Sequence, residues 1–210
     1  MPDGTPPRTL RSAEDLVAAG LIAPARQPEA AAVAARYSIA VTPAVRALID
    51  PADPADPIAR QYLPDAAELV TAPHESADPT ADAPFTPVPG VVHRYPDRAL
   101  LKPLLACPVY CRFCFRREAV GPGGGLLTEA ELDTALAWFA RTPAVREAIL
   151  TGGDPLMLSP RRLAHILGAL SALRHIDIIR IHSRVPVADP ERITPPLLAA
   201  LETGKALFLC

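Results

Sequence analysis

From Arg98 onward, apolar runs of strand length alternate with stretches whose apolar residues recur at helical spacing, and this alternation narrows the fold more than any other feature of the chain. Arg98 to Ala106 reads as a strand. Thr128-Glu-Ala-Glu131 is a capping box that opens a helix running to Arg141, with Leu132, Leu136 and Phe139 on one face. Glu147 to Leu150 reads as a second strand, ending in Thr151-Gly-Gly-Asp-Pro155. Ser159-Pro160 starts another helix carrying Leu163, Ile166, Leu167 and Leu170 on one side. Asp177 to His182 is a third strand. Thr194-Pro195 opens a further helix that Gly204 stops, and Lys205 to Cys210 begins a fourth strand. Strand, helix, strand, helix predicts an α/β domain with a parallel sheet of βαβ units.

The chain before this region has a different character. Ser12 is a candidate N-cap with Asp15 in the first turn, and Gly20 is placed to end the helix. Pro28 to Tyr37 and Pro43 to Ile49 predict two more helices, each opening at a proline, and Asp53 to Pro64 adds a short amphipathic piece. Residues 1–70 are thus expected to form a small helical module. Thr71 to Pro89, rich in Pro, Ala, Asp and Thr, reads as loop, so 71–90 is expected to link or wrap, and 91–210 to hold the sheet. Much of the chain's proline, 26 residues in all, falls before Val91.

The chain has 210 residues, half of them apolar, enough for a sizeable core. A formal net charge of −2 gives no electrostatic case for nucleic acid or a membrane surface as partner. The Met-Pro-Asp-Gly-Thr-Pro-Pro start has no charged n-region or apolar h-region, and no apolar run reaches membrane-spanning length, so a cytoplasmic location is the default expectation. Because the last strand pattern stops at Cys210 with an apolar edge, the chain is expected to be the N-terminal part of a longer protein.

Cys107-Pro-Val-Tyr-Cys111-Arg-Phe-Cys114 places three cysteines at C-x3-C-x2-C spacing, directly after the first strand pattern. Three thiolates on one loop can hold a metal cluster. A four-iron cluster normally takes four cysteines, and the fourth in this chain is the terminal Cys210, so one iron would be left open for reaction, as in catalytic metal sites. A zinc knot would need a second ligand arm, for which the nearest upstream histidine is His93, and a disulfide framework lacks a secretory signal. Gly152-Gly153 after a strand either lets backbone approach a ligand or simply makes a turn. Arg94, Arg98, Arg112, Arg116 and Arg117 read as a carboxylate- or phosphate-binding set or as a solvated basic face. His182 reads equally as a site residue or a hydrogen-bonded core histidine. Gly121-Pro-Gly-Gly-Gly125 leads to no Gly-Lys-Ser/Thr and is taken as a flexible connector, and Gly204-Lys205 lacks the upstream glycine of a phosphate loop.

The cysteine spacing resembles the radical S-adenosylmethionine superfamily. His93-Arg-Tyr-Pro-Asp-Arg98, the cysteine loop with Arg116-Arg117, Thr151-Gly-Gly-Asp-Pro-Leu156 and Arg180-Ile-His-Ser-Arg-Val-Pro186, in that order, narrow the resemblance to the lysine 2,3-aminomutase family. The resemblance implies part of a (β/α) barrel whose C-terminal half is absent from this chain, and a 1,2 shift of an amino group on L-lysine, free or linked to a protein such as elongation factor P. It implies a 4Fe-4S cluster on Cys107, Cys111 and Cys114, with S-adenosylmethionine contacted by Gly152, Gly153 and Asp154. By the same resemblance pyridoxal 5′-phosphate is lined by Arg94, Tyr95 and Arg98, the substrate carboxylate is held by Arg116, and His182, Ser183 and Arg184 stand at the cofactor rim. A homo-oligomer is compatible with it. Lys102 and Lys205 do not match the family's pyridoxal-binding lysine, so that residue stays unassigned, and the chain alone is expected to be incomplete for turnover. Two alternatives stand beside this reading: another radical S-adenosylmethionine enzyme, and a non-catalytic relic or zinc-binding module.

Overall fold

The computed structural model describes residues 8–121 and 124–210. The Met1-to-Pro7 start and the Pro122-Gly123 centre of the expected connector lie outside the described residues.

Five strands form one sheet in the order β1-β2-β3-β4-β5: β1 (Val91–Tyr95), β2 (Arg98–Leu104), β3 (Glu147–Gly152), β4 (Ile178–Ile181) and β5 (Ala206–Leu209). From β2 to β5 every neighbouring pair is parallel, as the alternating pattern requires. The expectation of a wholly parallel sheet fails at β1, which turns through Pro96-Asp97 and pairs antiparallel with β2. Val-Val-His-Arg-Tyr carries only two aliphatic residues, so its strand character comes from the hairpin rather than from its own composition.

Period-two alternation divides the sheet into two faces. Ala99, Ala148, Ile179 and Leu207 are register partners, as are Leu101, Leu150, Ile181 and Leu209. These rows meet three helices: α5 (Glu129–Ala140), α6 (Pro160–Ser171) and α8 (Pro195–Ala200), which pack Leu132, Phe139, Leu163, Ile166, Leu170 and Leu197 into one core. Each such side chain contributes about 1.5–3 kcal/mol on leaving water, and, Leu16 apart, the largest wholly buried side chains all belong to this cluster. The opposite face presents Leu100, Ile149, Arg180 and Phe208 in one row and Arg98 beside Glu147 in another. That face sets the charged Arg98, Glu147 and Arg180 among apolar residues.

Local signals set the helix ends. Thr128 accepts from the Glu131 N–H at 3.2 Å while Glu131 accepts from the Thr128 N–H at 2.8 Å, the expected capping box. Ser159 caps α6 and Ser12 caps α1 (Ala13–Ala18). Gly20, at φ +70°, ends α1 with the Leu21 N–H donating to Leu16 and the Gly20 N–H to Val17, a Schellman closure. Helix α2 (Gln27–Ala34) stops short of the expected Tyr37, because Tyr37 turns into a small cluster with Val33, Ala40 and Tyr110. Helices α3 (Pro43–Arg46) and α4 (Ala59–Tyr62) are single turns, so α3 too falls short of Ile49. Gly204 does not terminate α8, which ends at Ala200. Between Thr71 and Gly90 the chain is loop apart from a 3-10 turn at Ala83–Phe85.

The N-terminal core of Leu10, Leu16, Ile22, Ile39, Val41 and Tyr62 is completed by Val109 of the cysteine loop and by Ala188 of α7 (Val185–Ala188). Among the described residues no helix is long and apolar enough to cross a membrane.

Candidate functional site

The cysteine loop leaves β2 at Leu104 and is held both by turns of its own, with the Cys114 N–H donating to Cys111 at 3.1 Å, and by contacts from outside. Val109 and Tyr110 are buried against the N-terminal helices, the Tyr110 N–H donates to Ala40 at 3.1 Å, and the Arg112 N–H donates to Gln61 at 2.8 Å. The buried Arg112 guanidinium grips Glu68 through Nε (3.0 Å) and donates through Nη1 to the Ser38 carbonyl at 2.8 Å. Arg117 lies 3.6 Å over the Tyr37 ring and 3.4 Å from Glu68. With these residues anchored to the N-terminal helices, Cys107, Cys111 and Cys114 remain as free, half-buried thiols.

Burial pushes the Cys107 thiol up to about 12, with the charges of Asp154, Cys114 and Cys111 adding to the shift, and burial raises Cys111 as well. Both are therefore neutral near pH 7, and a metal cluster that takes them as thiolates must displace their protons. The donor set fits such a cluster: three soft ligands on one loop, close enough to feel one another's charge. Among the described residues no three His, Cys, Asp or Glu side chains converge at the spacing of a single-ion site. Ligands of a cluster, whose irons occupy separate corners, need not converge on one point.

Gly152 lies against the end of β2 and Gly153 against the start of this loop. Gly152 has φ +109°, and a Cβ on Gly153 would fall 2.2 Å from the Ala106 carbonyl oxygen. The Gly153 N–H donates to Leu104 and the Asp154 N–H to Ala106, each at 2.8 Å. These glycines thus permit a backbone-to-backbone approach that fixes the start of the cysteine loop. Asp154 is buried, and both its oxygens are occupied: Oδ1 accepts from Ser183 Oγ (2.8 Å) and the Leu156 N–H (3.0 Å), Oδ2 from the N–H groups of Arg184 (2.6 Å) and Val185 (3.1 Å). Burial pushes its carboxyl up while these donors pull it back toward the ionised form. Asp154 therefore ties the segment after β3 to the segment after β4, and Ser183 serves the same tie.

His182 follows β4 and is exposed, outside the hydrophobic clusters of the described residues. Desolvation and the nearby Arg180 and Arg116 charges lower its pKa, so it is neutral at pH 7. Arg184 is also exposed and stacks over Phe113 at 5.1 Å.

Arg94, Tyr95, Arg98 and Arg116, read from separate motifs, line one cavity of about 220 Å³ together with Phe115 and Asp82. Arg94 stacks on Phe85 at 4.9 Å. Arg98 pairs with Asp97 (2.7 Å) and stands 3.6 Å from Glu147, which Arg180 also holds at 2.6 Å. Arg116 donates through Nε to Asp82 at 2.9 Å, and Lys102 Nζ lies 3.2 Å from the same carboxylate oxygen. The reading from sequence missed Asp82, Lys102 and Glu68. Glu68 had a signal, the Asp65-x-x-Glu68 capping box, which is present. Asp82 had none, lying in what reads as linker.

Residues 101–201, spanning β2 to the end of α8 and including the cysteine loop, match the family described as the Radical SAM superfamily. Over 171 residues, 81% of this chain, the sequence is 42% identical to L-lysine 2,3-aminomutase of Clostridium subterminale, covering 41% of that protein. It is 36% identical to the Bacillus subtilis L-lysine 2,3-aminomutase over 80% of this chain and 36% of the relative, and 42% identical to the Escherichia coli protein of that name over 70% and 42%. The chain is a lysine 2,3-aminomutase-like member of the radical SAM superfamily. This radical SAM protein spans about two fifths of the length of the curated relatives it matches. The resemblance carried by its four short motifs thus extends over most of the chain.

Proposed function

We propose that this chain belongs to an aminomutase that moves the α-amino group of free L-lysine to the β-carbon. The observation that carries the reading is the single cavity that gathers Arg94, Tyr95, Arg98 and Arg116, with Arg116 two residues from the last thiol of the cysteine loop. Cys107, Cys111 and Cys114 would hold a 4Fe-4S cluster, and the sheet is read as an arc of a (β/α) barrel with the face carrying Arg98, Glu147 and Arg180 turned inward. When bound, the reduced cluster and S-adenosylmethionine supply radical chemistry, and pyridoxal phosphate carries the migrating nitrogen.

The chain's own residues bind and orient. Arg94 and Arg98 suit a phosphate, Tyr95 offers a ring and a hydroxyl, and Arg116 suits a carboxylate. A lysine within a protein chain, or joined to one through its carboxyl, has that group tied up in an amide, which favours free lysine as the substrate. Gly152, Gly153 and Asp154 fix the approach of two loops, while His182, neutral and exposed near Arg116, can accept or donate a hydrogen bond at the rim. Val92, Ala99 and Leu100 give the cavity an apolar wall that limits water.

The test is anaerobic reconstitution with iron and sulfide, reduction, and electron paramagnetic resonance with and without S-adenosylmethionine. A four-iron signal that changes on adding S-adenosylmethionine is expected. Zinc uptake without a cluster, or a cluster indifferent to S-adenosylmethionine, would overturn the proposal and favour the relic reading.

A further inference from the structure

Asp82 sits on the loop between Thr71 and Gly90, and the loop is built to present it. Asp78 accepts from the N–H groups of Asp82 and Ala83, each at 2.9 Å, and Ala81, between Asp78 and Asp82, takes φ +49°, a left-handed conformation that non-glycine residues rarely adopt. The carboxylate thus presented meets Arg116 side-on: Nε donates to Oδ2 at 2.9 Å and Nη2 lies 3.4 Å from Oδ1. Lys102, on β2, donates to the same Oδ2 at 3.2 Å. All three side chains are largely withdrawn from solvent, at 13–18% exposure. Burial alone would push the Asp82 carboxyl up, but the Arg116 hydrogen bond and charge, with Lys102 behind them, hold it below the ordinary carboxylate range. Among the described residues Arg116 Nη1 has no hydrogen-bond partner, and the guanidinium borders the cavity.

A guanidinium held by its Nε edge keeps its Nη edge for a second carboxylate, and its fork geometry then fixes where that carboxylate lies. Two cations and one anion leave one unit of positive charge, the complement of one incoming carboxylate. We propose that Asp82 is the positioning residue for Arg116, holding it side-on, with Lys102 as second cation, so that the Nη edge receives the carboxylate of an amino-acid substrate. This rests on the reading of Arg116 as the carboxylate receptor. A loop that reads from sequence as a linker would then complete the substrate site.

The experiment follows the arginine Nε–H resonances of the 210-residue chain, assigned with Arg116→Lys, during titration with L-lysine and with 1,5-diaminopentane, which lacks the carboxylate. In the unaltered chain the Arg116 Nε–H should be protected from exchange and stay protected as L-lysine binds, while 1,5-diaminopentane leaves it unmoved. In Asp82→Asn the protection should vanish and L-lysine affinity fall about tenfold, the effect of losing one charged hydrogen bond. Retained protection in Asp82→Asn would overturn the inference. So would tighter lysine binding by that variant, or loss of the signal on lysine binding, either of which would mark Asp82 as a competitor for the guanidinium. If Arg116 does not respond to L-lysine, or Arg116→Lys binds it equally well, the carboxylate reading itself fails, and that result is distinct from a failure of Asp82 alone.

Discussion

Asp154 illustrates how one carboxylate serves as structure in a motif that reads as ligand contact. A carboxylate offers about four acceptor positions, and Ser183, Leu156, Arg184 and Val185 take them all. Asp154→Ala leaves the Leu156 and Arg184 N–H groups and the Ser183 hydroxyl without their acceptor, while the Val185 N–H keeps Ser183 Oγ. It should cost about 2–4 kcal/mol, seen as a lower urea midpoint with an unchanged slope. Asp154→Asn, which keeps one acceptor oxygen, should lose less. Equal stability of the alanine variant would show that water replaces the carboxylate.

At the scale of elements, the glycines divide into those that hold segments together and those that do not. Gly153→Ala places a Cβ 2.2 Å from the Ala106 carbonyl oxygen, a backbone atom that cannot swing away. Overpacking of this kind costs about 1–3 kcal/mol, and the displacement falls on the residue before Cys107, so iron uptake on reconstitution should drop with stability. Gly168, inside α6, has an ordinary helical backbone, and a Cβ added there would meet nothing within 4 Å. Gly168→Ala should therefore stabilise the chain by about 0.5–1 kcal/mol through lost unfolded-state entropy. Thermal and urea unfolding of the two variants should move in opposite directions.

Across the whole molecule, the cysteine loop is clamped between the sheet and the N-terminal helices. Val109 and Tyr110 bury into those helices, and Glu68 receives Arg112 and Arg117 while its other role is to close the capping box at Asp65. Among the described residues, Glu68→Ala leaves the buried Arg112 guanidinium with the Ser38 carbonyl as its one hydrogen-bond acceptor. Breaking a buried pair from one side costs about 3–5 kcal/mol. Amide exchange should quicken through the cysteine loop and the N-terminal helices together. Exchange confined to the turn at Glu68 would show that the two are not coupled.

The sequence by itself determined what depends on near neighbours. Caps at Ser12, Thr128 and Ser159, the Schellman glycine at Gly20, the strands β2 to β5 and the spacing of the three thiols all follow from residues a few positions apart, and the structure keeps them. Only the tertiary structure decided what depends on partners far along the chain. β1 is a strand because β2 pairs with it, Asp82 matters because Arg116 lies 34 positions away, and Glu68 because Arg112 lies 44 away. Pairings over such separations leave no periodic trace, since each needs only one charge or one strand edge in the right place. Local patterning therefore gave the scaffold and the ligand loop, while long-range contact supplied the residues that hold the candidate site in shape.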